Sequence, residues 1–199
     1  ILVDGERLAG ETMDDVDFSR LCMDNVDHIE IVKGAASALY GSNAAGGVIN
    51  IITKNGIRPF ALNLNARLGR HHEQRYGLSW QQGAGRWSNL LTVNRNRSDN
   101  YDVHNGDAPV TRVVATIYGD ATWNFKEQLS YRPSEKLSLT GRAGYFYRQL
   151  VRTSETPERY RDFSGGLRGV WKPDIHNSLD LSYAFDQYDK SDYQRITRL

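Results

Sequence analysis

From Phe60 onward the chain repeats with a period of two, and it does so in seven separate segments. ALNLNARLG puts Leu62, Leu64, Ala66 and Leu68 on one side and Asn63, Asn65 and Arg67 on the other. RYGLSWQQ sets Tyr76, Leu78 and Trp80 against Arg75, Ser79 and Gln81. LSLTGRAGYFY sets Leu137, Leu139, Gly141, Ala143, Tyr145 and Tyr147 against Ser138, Thr140, Arg142 and Gly144. DFSGGLRGVW offers Phe163, Leu167 and Trp171, and SLDLSYAFD sets Leu179, Leu181, Tyr183 and Phe185 against Asp180, Ser182 and Asp186. Two segments carry one blemish each: WSNLLTVNR, where Asn89 interrupts Trp87, Leu91 and Val93, and DATWNFKEQLSYR, where Glu127 interrupts Trp123, Phe125, Leu129 and Tyr131. Successive strand side chains point to opposite faces, so sustained alternation specifies sheet.

The links between these segments alternate in length. GAGR, PSEK and KPDIHN are tight and turn-rich, whereas Asn96 to Ile117 and Arg152 to Arg161 read as longer polar loops, with HHEQ as the short member of that second set. Short turns at one end and long loops at the other is the arrangement of outer-membrane barrels, and aromatics near strand ends (Trp80, Trp87, Trp123, Tyr131, Tyr147, Trp171) suit interfacial girdles. A soluble β-sandwich also alternates. Against it stand Arg67, Arg75 and Arg142 in mid-strand and the consecutive hairpins.

Composition narrows the classes further. The 199 residues hold 25 Lys+Arg against 24 Asp+Glu, a net charge of +1 that argues for no nucleic-acid partner. No apolar run is long enough for a membrane helix. Spanning strands need only about ten alternating residues, so a mean hydropathy of −0.59 is compatible with a barrel. Cys22 is the single cysteine, which leaves no internal disulfide and no zinc spacing. The chain begins ILVDGERL and ends RITRL directly after a strand-like segment, so a fragment is expected.

Residues 1–56 have another texture. ILVDGERL reads as a strand entering a turn at Asp4-Gly5, followed by the irregular, acidic ETMDDVDFSRLCMDNVD, where Asp17 or Ser19 caps a short helix. One thin helix is expected from Ala35 to Tyr40, stopped by Gly41. The glycines of GAASALYGSNAAGGVINIITK invite a phosphate-loop reading. That fails on context, because Gly46 and Gly47 lead into the β-branched VINIIT and not a helix. Asp14, Asp15 and Asp17 do not have EF-hand spacing, and a solvated loop is the expectation there.

The run IEIVKGAASALYGSNAAGGVINIITK resembles the C-terminal signature of the plug domain of TonB-dependent outer-membrane receptors: a strand ending in a basic residue and Gly, a small-residue SALYG turn, a GGVIN strand and a closing Thr-Lys. ILVDG is similar to an earlier plug strand. Two departures stand out: Gly34-Ala35 replaces a common Gly-Pro, and Lys33 stands where Arg is frequent. Lysine keeps the charge and loses the bidentate fork.

The resemblance implies a mostly β chain, a fragment of a transmembrane antiparallel β-barrel preceded by part of a small α/β plug domain. Its expected divisions are 1–56 (C-terminal part of the plug) and 57–199 (about seven N-terminal barrel strands), with Thr53-Lys54 marking the end of the plug. The implied function is TonB-dependent import of a scarce bulky nutrient, siderophore-iron, haem, cobalamin or similar, across the bacterial outer membrane. The implied partners are TonB, through a segment outside these residues, outer-membrane lipid and an unidentified ligand; no cofactor is expected. The resemblance makes Glu30 and Lys33 candidates for contact between plug and barrel wall, and Gly34, Gly41, Gly46 and Gly47 its plug turn. Ser42, Asn43, His71, His72 and His104 are candidate ligand contacts, since imidazoles on outer loops suit haem iron. A solvated hairpin tip is the plainer reading of His71-His72. A passive porin-like barrel and an outer-membrane barrel enzyme are the alternatives. Porins have no plug, and no nucleophile–base motif appears in the sequence, so no enzyme is expected.

Overall fold

The computed structural model describes residues 1–7, 26–34, 46–53, 59–104, 113–151 and 157–192. The chain divides into two compact units, Ile1–Ile57 and Arg58–Leu199.

The first unit is a sheet of four strands, β1 (Leu2–Val3), β2 (Glu6–Arg7), β3 (Val26–Lys33) and β4 (Gly47–Thr53), in the order β2-β1-β4-β3. β4 pairs parallel with β1 and antiparallel with β3. As an inner strand it buries Val48 and Asn50 on one face and Ile51 on the other, and Leu2 packs against Val48. This explains why VINII is apolar almost without alternation. The β1–β2 turn uses Asp4 and Gly5 at φ 51° and 85°. It is tied to β4 from both sides: Asp4 carboxylate oxygens accept from the Thr53 amide at 2.8 Å and its hydroxyl at 2.6 Å, and the Gly5 amide donates to Asn50 Oδ1 at 3.0 Å. The helices expected at Asp17 or Ser19 and over Ala35 to Tyr40 lie outside the described residues, as does the acidic cluster.

The second unit opens with β5 (Phe60–Leu68), β6 (Gln74–Ala84) and β7 (Trp87–Arg97). A two-stranded hairpin follows, β8 (Tyr101–His104) and β9 (Val113–Ile117), and then β10 (Asp120–Ser134), β11 (Leu137–Val151), β12 (Pro157–Trp171) and β13 (Leu179–Asp192). Seven of these strands make one sheet in the order β13-β12-β11-β10-β7-β6-β5, every neighbouring pair antiparallel. Each segment picked out by alternation is one of them. Two loop boundaries differ from expectation. The Asn96–Ile117 stretch contains β8 and β9, and β12 begins at Pro157 within the stretch read as loop to Arg161. β8 and β9 are too short, at four and five residues, for alternation to register, and the start of β12 reads ERYRD with no apolar face.

The two faces of this sheet have inverted polarity. Ser79, Thr92, Thr122 and Asn124 are at most 5% exposed, whereas Leu64, Leu167 and Leu181 are at least 64% exposed. A water-soluble sandwich crowds its apolar face and bares the polar one. Here the reverse holds, and the sandwich reading falls away. The two blemishes in the pattern also find each other: Asn89 Nδ2 donates to Glu127 Oε1.

Candidate functional site

The polar face of the seven-stranded sheet is a lattice of paired side chains. Arg148 Nε lies 3.0 Å from Asp120, Arg142 Nε donates to Gln128 at 3.2 Å, and Arg168 Nε donates to Asp180 at 3.0 Å. Each pair joins adjacent strands, because strand register sets residues side by side every second position. Arg67 and Arg75 stand directly opposite each other, a like-charge pair relieved by Glu73, which accepts from Arg75 Nε at 2.7 Å. On the same face, toward the β11–β12 loop, Phe146, Leu150 and Tyr160 are buried, and Lys190 lies 5.3 Å from the Tyr160 ring centre. The polar face thus carries paired charges over its length and a buried aromatic patch toward that loop. The sequence sets Arg67, Arg75, Arg142 and Asp180 on polar strand faces; their partners, and Arg148, Arg168 and Tyr160, emerge only with register.

At the same end, the β5–β6 hairpin turns through His71 and His72, with φ of 57° and 53°. The Glu73 amide closes the turn on the Arg70 carbonyl at 3.1 Å. Positive φ at both central residues makes this a type I′ turn, the hairpin turn that matches strand twist. The His71 ring stacks on Tyr101 at a centroid distance of 3.7 Å, and His72 Nδ1 lies 2.9 Å from Asp99. Tyr101 and Asp99 were not singled out in the sequence. His104 ends β8, three residues beyond Tyr101, and its side chain lies outside the described residues.

In the first unit, Glu30 Oε2 accepts from Asn50 Nδ2 at 3.1 Å, and Glu30 Oε1 lies 3.5 Å from His28 Nε2. His28 also meets Asp27 at 2.8 Å, and that hydrogen bond, opposed by desolvation and aided by Glu30, raises its pKa. Glu30 is thus engaged within its own sheet. Lys33, three residues on, projects from the opposite face of β3 and is exposed, so the two are not brought together. Gly34 and Gly47 have φ of 94° and 129°. At Gly47 a Cβ would fall 2.5 Å from the Val32 carbonyl oxygen, so both conformation and space demand glycine. A Cβ at Gly46 would meet nothing within 4 Å among the described residues. Gly41, Ser42 and Asn43 lie outside the described residues.

Consecutive antiparallel strands with a crowded polar face and a bare apolar one define the wall of a membrane β-barrel. Residues 1–48 match the family described as the TonB-dependent receptor plug domain. The vitamin B12 transporter BtuB of Vibrio cholerae serotype O1 is 48% identical over 69 residues, 35% of this chain and 11% of the relative. Among solved structures, the copper transporter OprC matches with a TM-score of 0.75 at 19% identity, over 99% of this chain and 30% of that one. The ferric-catecholate import receptor Fiu of E. coli K12 also gives 0.75, at 13% identity, over 95% of this chain and 31% of that one. At such identities the structural likeness is one of fold. Residues 1–48 thus carry the sequence of a TonB-dependent receptor plug domain, and the chain shares its fold with these transport and import receptors. The chain spans about a third of the length of those structures, and its match takes in about a tenth of the curated relative.

Proposed function

We propose that this chain supplies plug and barrel wall to an active importer of a scarce, bulky nutrient across the bacterial outer membrane, driven by TonB. Residues 1–56 are assigned to the plug and 57–199 to the barrel. The observation that carries the reading is the plug match over residues 1–48 ahead of a sheet with inverted polarity. A plugged lumen stops passive flow, so import needs work. The outer membrane has neither ATP nor its own potential, and TonB brings that work from the inner membrane. In this orientation the GAGR, PSEK and KPDIHN turns are periplasmic, and the His71-His72 hairpin and the β8–β9 hairpin face outward. Lys33, uncommitted among the described residues, is the better candidate for plug–barrel contact; Glu30 serves its own sheet through Asn50.

Cobalamin is the first substrate to test, because the similar curated proteins are vitamin B12 transporters. Cells carrying the receptor should accumulate labelled cyanocobalamin, and a protonophore should stop it. Uptake that persists after the gradient collapses points to a porin. No cobalamin uptake alongside ferric-siderophore uptake moves the substrate and keeps the mechanism. A haem reading has one specific support: His71 and His72 are held outward on a tight turn, braced by Tyr101 and Asp99. Haemin affinity unchanged in the His71→Ala/His72→Ala receptor would end that reading.

A further inference from the structure

Cations on the bare, apolar face of the seven-stranded sheet are confined to one end. Alternation assigns every second residue of its strands to that face, and among those described positions only Arg95, Arg97, Arg159 and Arg161 are basic. Two ring contacts fix the sidedness. The Arg95 guanidinium lies 5.2 Å from the centre of the exposed Trp123 ring, and Tyr145 meets Phe163, two residues from Arg161, at 4.8 Å. The ladders that join β7, β10, β11 and β12 shift register only at the far end, between Tyr131 and Ser134, so alternation runs unbroken through all four arginines.

Register sets these residues in rows. Arg161, Tyr147, Trp123, Arg95 and Tyr76 are successive cross-strand partners on β12, β11, β10, β7 and β6. Arg159 and Arg97 stand one row nearer the long loops. Three strand spacings, about 14 Å, separate the two arginine columns. One carboxylate shares the rows, Asp189 opposite Arg161 on β13, and Asp99 lies just past the end of β7, 3.7 Å from Arg97 and 2.9 Å from His72. Four guanidiniums against these two carboxylates leave the belt positive. The other edge of the face carries Trp87, Tyr131 and Trp171 and, among the described strand residues, no cation. Trp87 is eight residues from Arg95 along β7, about 27 Å of strand, enough to set the two rows at opposite edges of the apolar band.

The outer membrane is asymmetric in the same sense, with phosphorylated glycolipid in its outer leaflet and phospholipid in its inner one. We propose that the Arg95/Arg97/Arg159/Arg161 belt is a docking site for one lipopolysaccharide molecule, the two lipid A phosphates on the arginine columns and the acyl chains against the bare face below. The disaccharide that joins the phosphates then spans the strands of Trp123 and Tyr147. Guanidinium forks match phosphate oxygens. Long basic side chains reach the interface while their stems stay on apolar surface, and clustered ones select anionic headgroups. The proposal rests on the outer-membrane reading, with the His71-His72 hairpin outward.

The test uses the full receptor extracted from outer membranes in mild detergent and washed free of co-purified lipid. Its adducts are read by native mass spectrometry after incubation with bisphosphorylated lipid A, with lipid A of the same acyl chains stripped of phosphate, or with palmitoyl-oleoyl phosphatidylglycerol. Bisphosphorylated lipid A should be retained at least about fivefold better than either. Arg95→Gln/Arg161→Gln should remove that preference. Arg67→Gln, which takes the same charge from the polar face, should keep it. Heat-modifiable migration on gels reports the folded barrel, and Arg161→Gln alone, at an exposed position, should cut the preference at least about twofold if the double variant does not fold. Equal retention with and without phosphate overturns the proposal, as does phosphatidylglycerol held as well as lipid A. So does a preference that survives the belt variants or falls in Arg67→Gln. An error in the membrane reading shows earlier, as absence from the outer-membrane fraction. A receptor that reaches that membrane and imports nothing leaves the lipid result standing.

Discussion

Asn89 donates through Nδ2 to Oε1 of Glu127 across the β7–β10 ladder, and both side chains stand on the apolar face of the sheet. They are diagonal neighbours: Asn89 is opposite Leu129, and Glu127 is opposite Leu91. Two positions that each break the pattern of their own strand make one polar pair.

Removing one member leaves the other without a partner on a lipid-facing wall. Asn89→Leu should cost about 1–3 kcal/mol, the usual penalty for an orphaned polar group. Adding Glu127→Leu should recover that loss, since an apolar pair needs no partner. Urea unfolding of the receptor in lipid vesicles measures both, and a double variant weaker than the single would show that the pair serves something besides its own satisfaction.

Gly47→Ala should open the β3–β4 hairpin. The new methyl meets the Val32 carbonyl oxygen at 2.5 Å, on a backbone at φ 129° that alanine resists, and strain of about 2 kcal/mol or more is expected. Gly46→Ala, with open space around it among the described residues, should change stability by less than about 0.5 kcal/mol. Amide hydrogen exchange on β3 and β4 within the receptor distinguishes the two.

His28 should titrate above its ordinary value of 6.5, because the Asp27 carboxylate favours the imidazolium. The sign follows from that direction. The group stabilises the folded strand fully at pH below the unfolded value, and this contribution fades as pH rises through the folded one. A ¹³C-histidine NMR titration reads the midpoint, and Asp27→Asn should lower it.

His72→Gly should stabilise the β5–β6 hairpin by about 1 kcal/mol, since the left-handed backbone at φ 53° costs any residue with a Cβ roughly that much. The side chain it removes is 81% exposed, so its 2.9 Å contact with Asp99 is screened by solvent and its loss offsets little of that gain. His71→Gly also relieves the backbone but loses the Tyr101 stack, worth about 0.5–1.5 kcal/mol, and should come out near zero. Thermal unfolding of the two variants in the same detergent separates backbone relief from lost stacking.

The seven wall strands were legible because lipid on one side forces every second residue to be apolar. What lies above the apolar band was not. β8 and β9 are four and five residues long, too short for a period to register even though β9 reads VVATI, and the start of β12 reads ERYRD, which has no apolar stripe to count. The His71-His72 turn lacks the Asn-Gly signature that announces positive φ. Partners such as Glu30–Asn50 and Asn89–Glu127 are 20 and 38 residues apart, and only register sets them together. The plug was legible through its glycines, and Gly47 repays the attention in its geometry. Gly46, read with equal weight, is sterically unconstrained by the described residues.

The inverted polarity of the sheet changes what a substitution at a bare position means. Leu64 and Leu68 are 70% and 73% exposed, the kind of position where a protein engineer seeking solubility writes lysine. Here exposed and hydrated are different words. A lysine near the bilayer midplane costs about 2–4 kcal/mol, and toward the interface almost nothing. Across the ladder, Ser79 and Thr92 are hidden yet belong to the aqueous side. A catalogue of tolerated changes in this chain would therefore run opposite to that of a soluble protein with the same accessibilities.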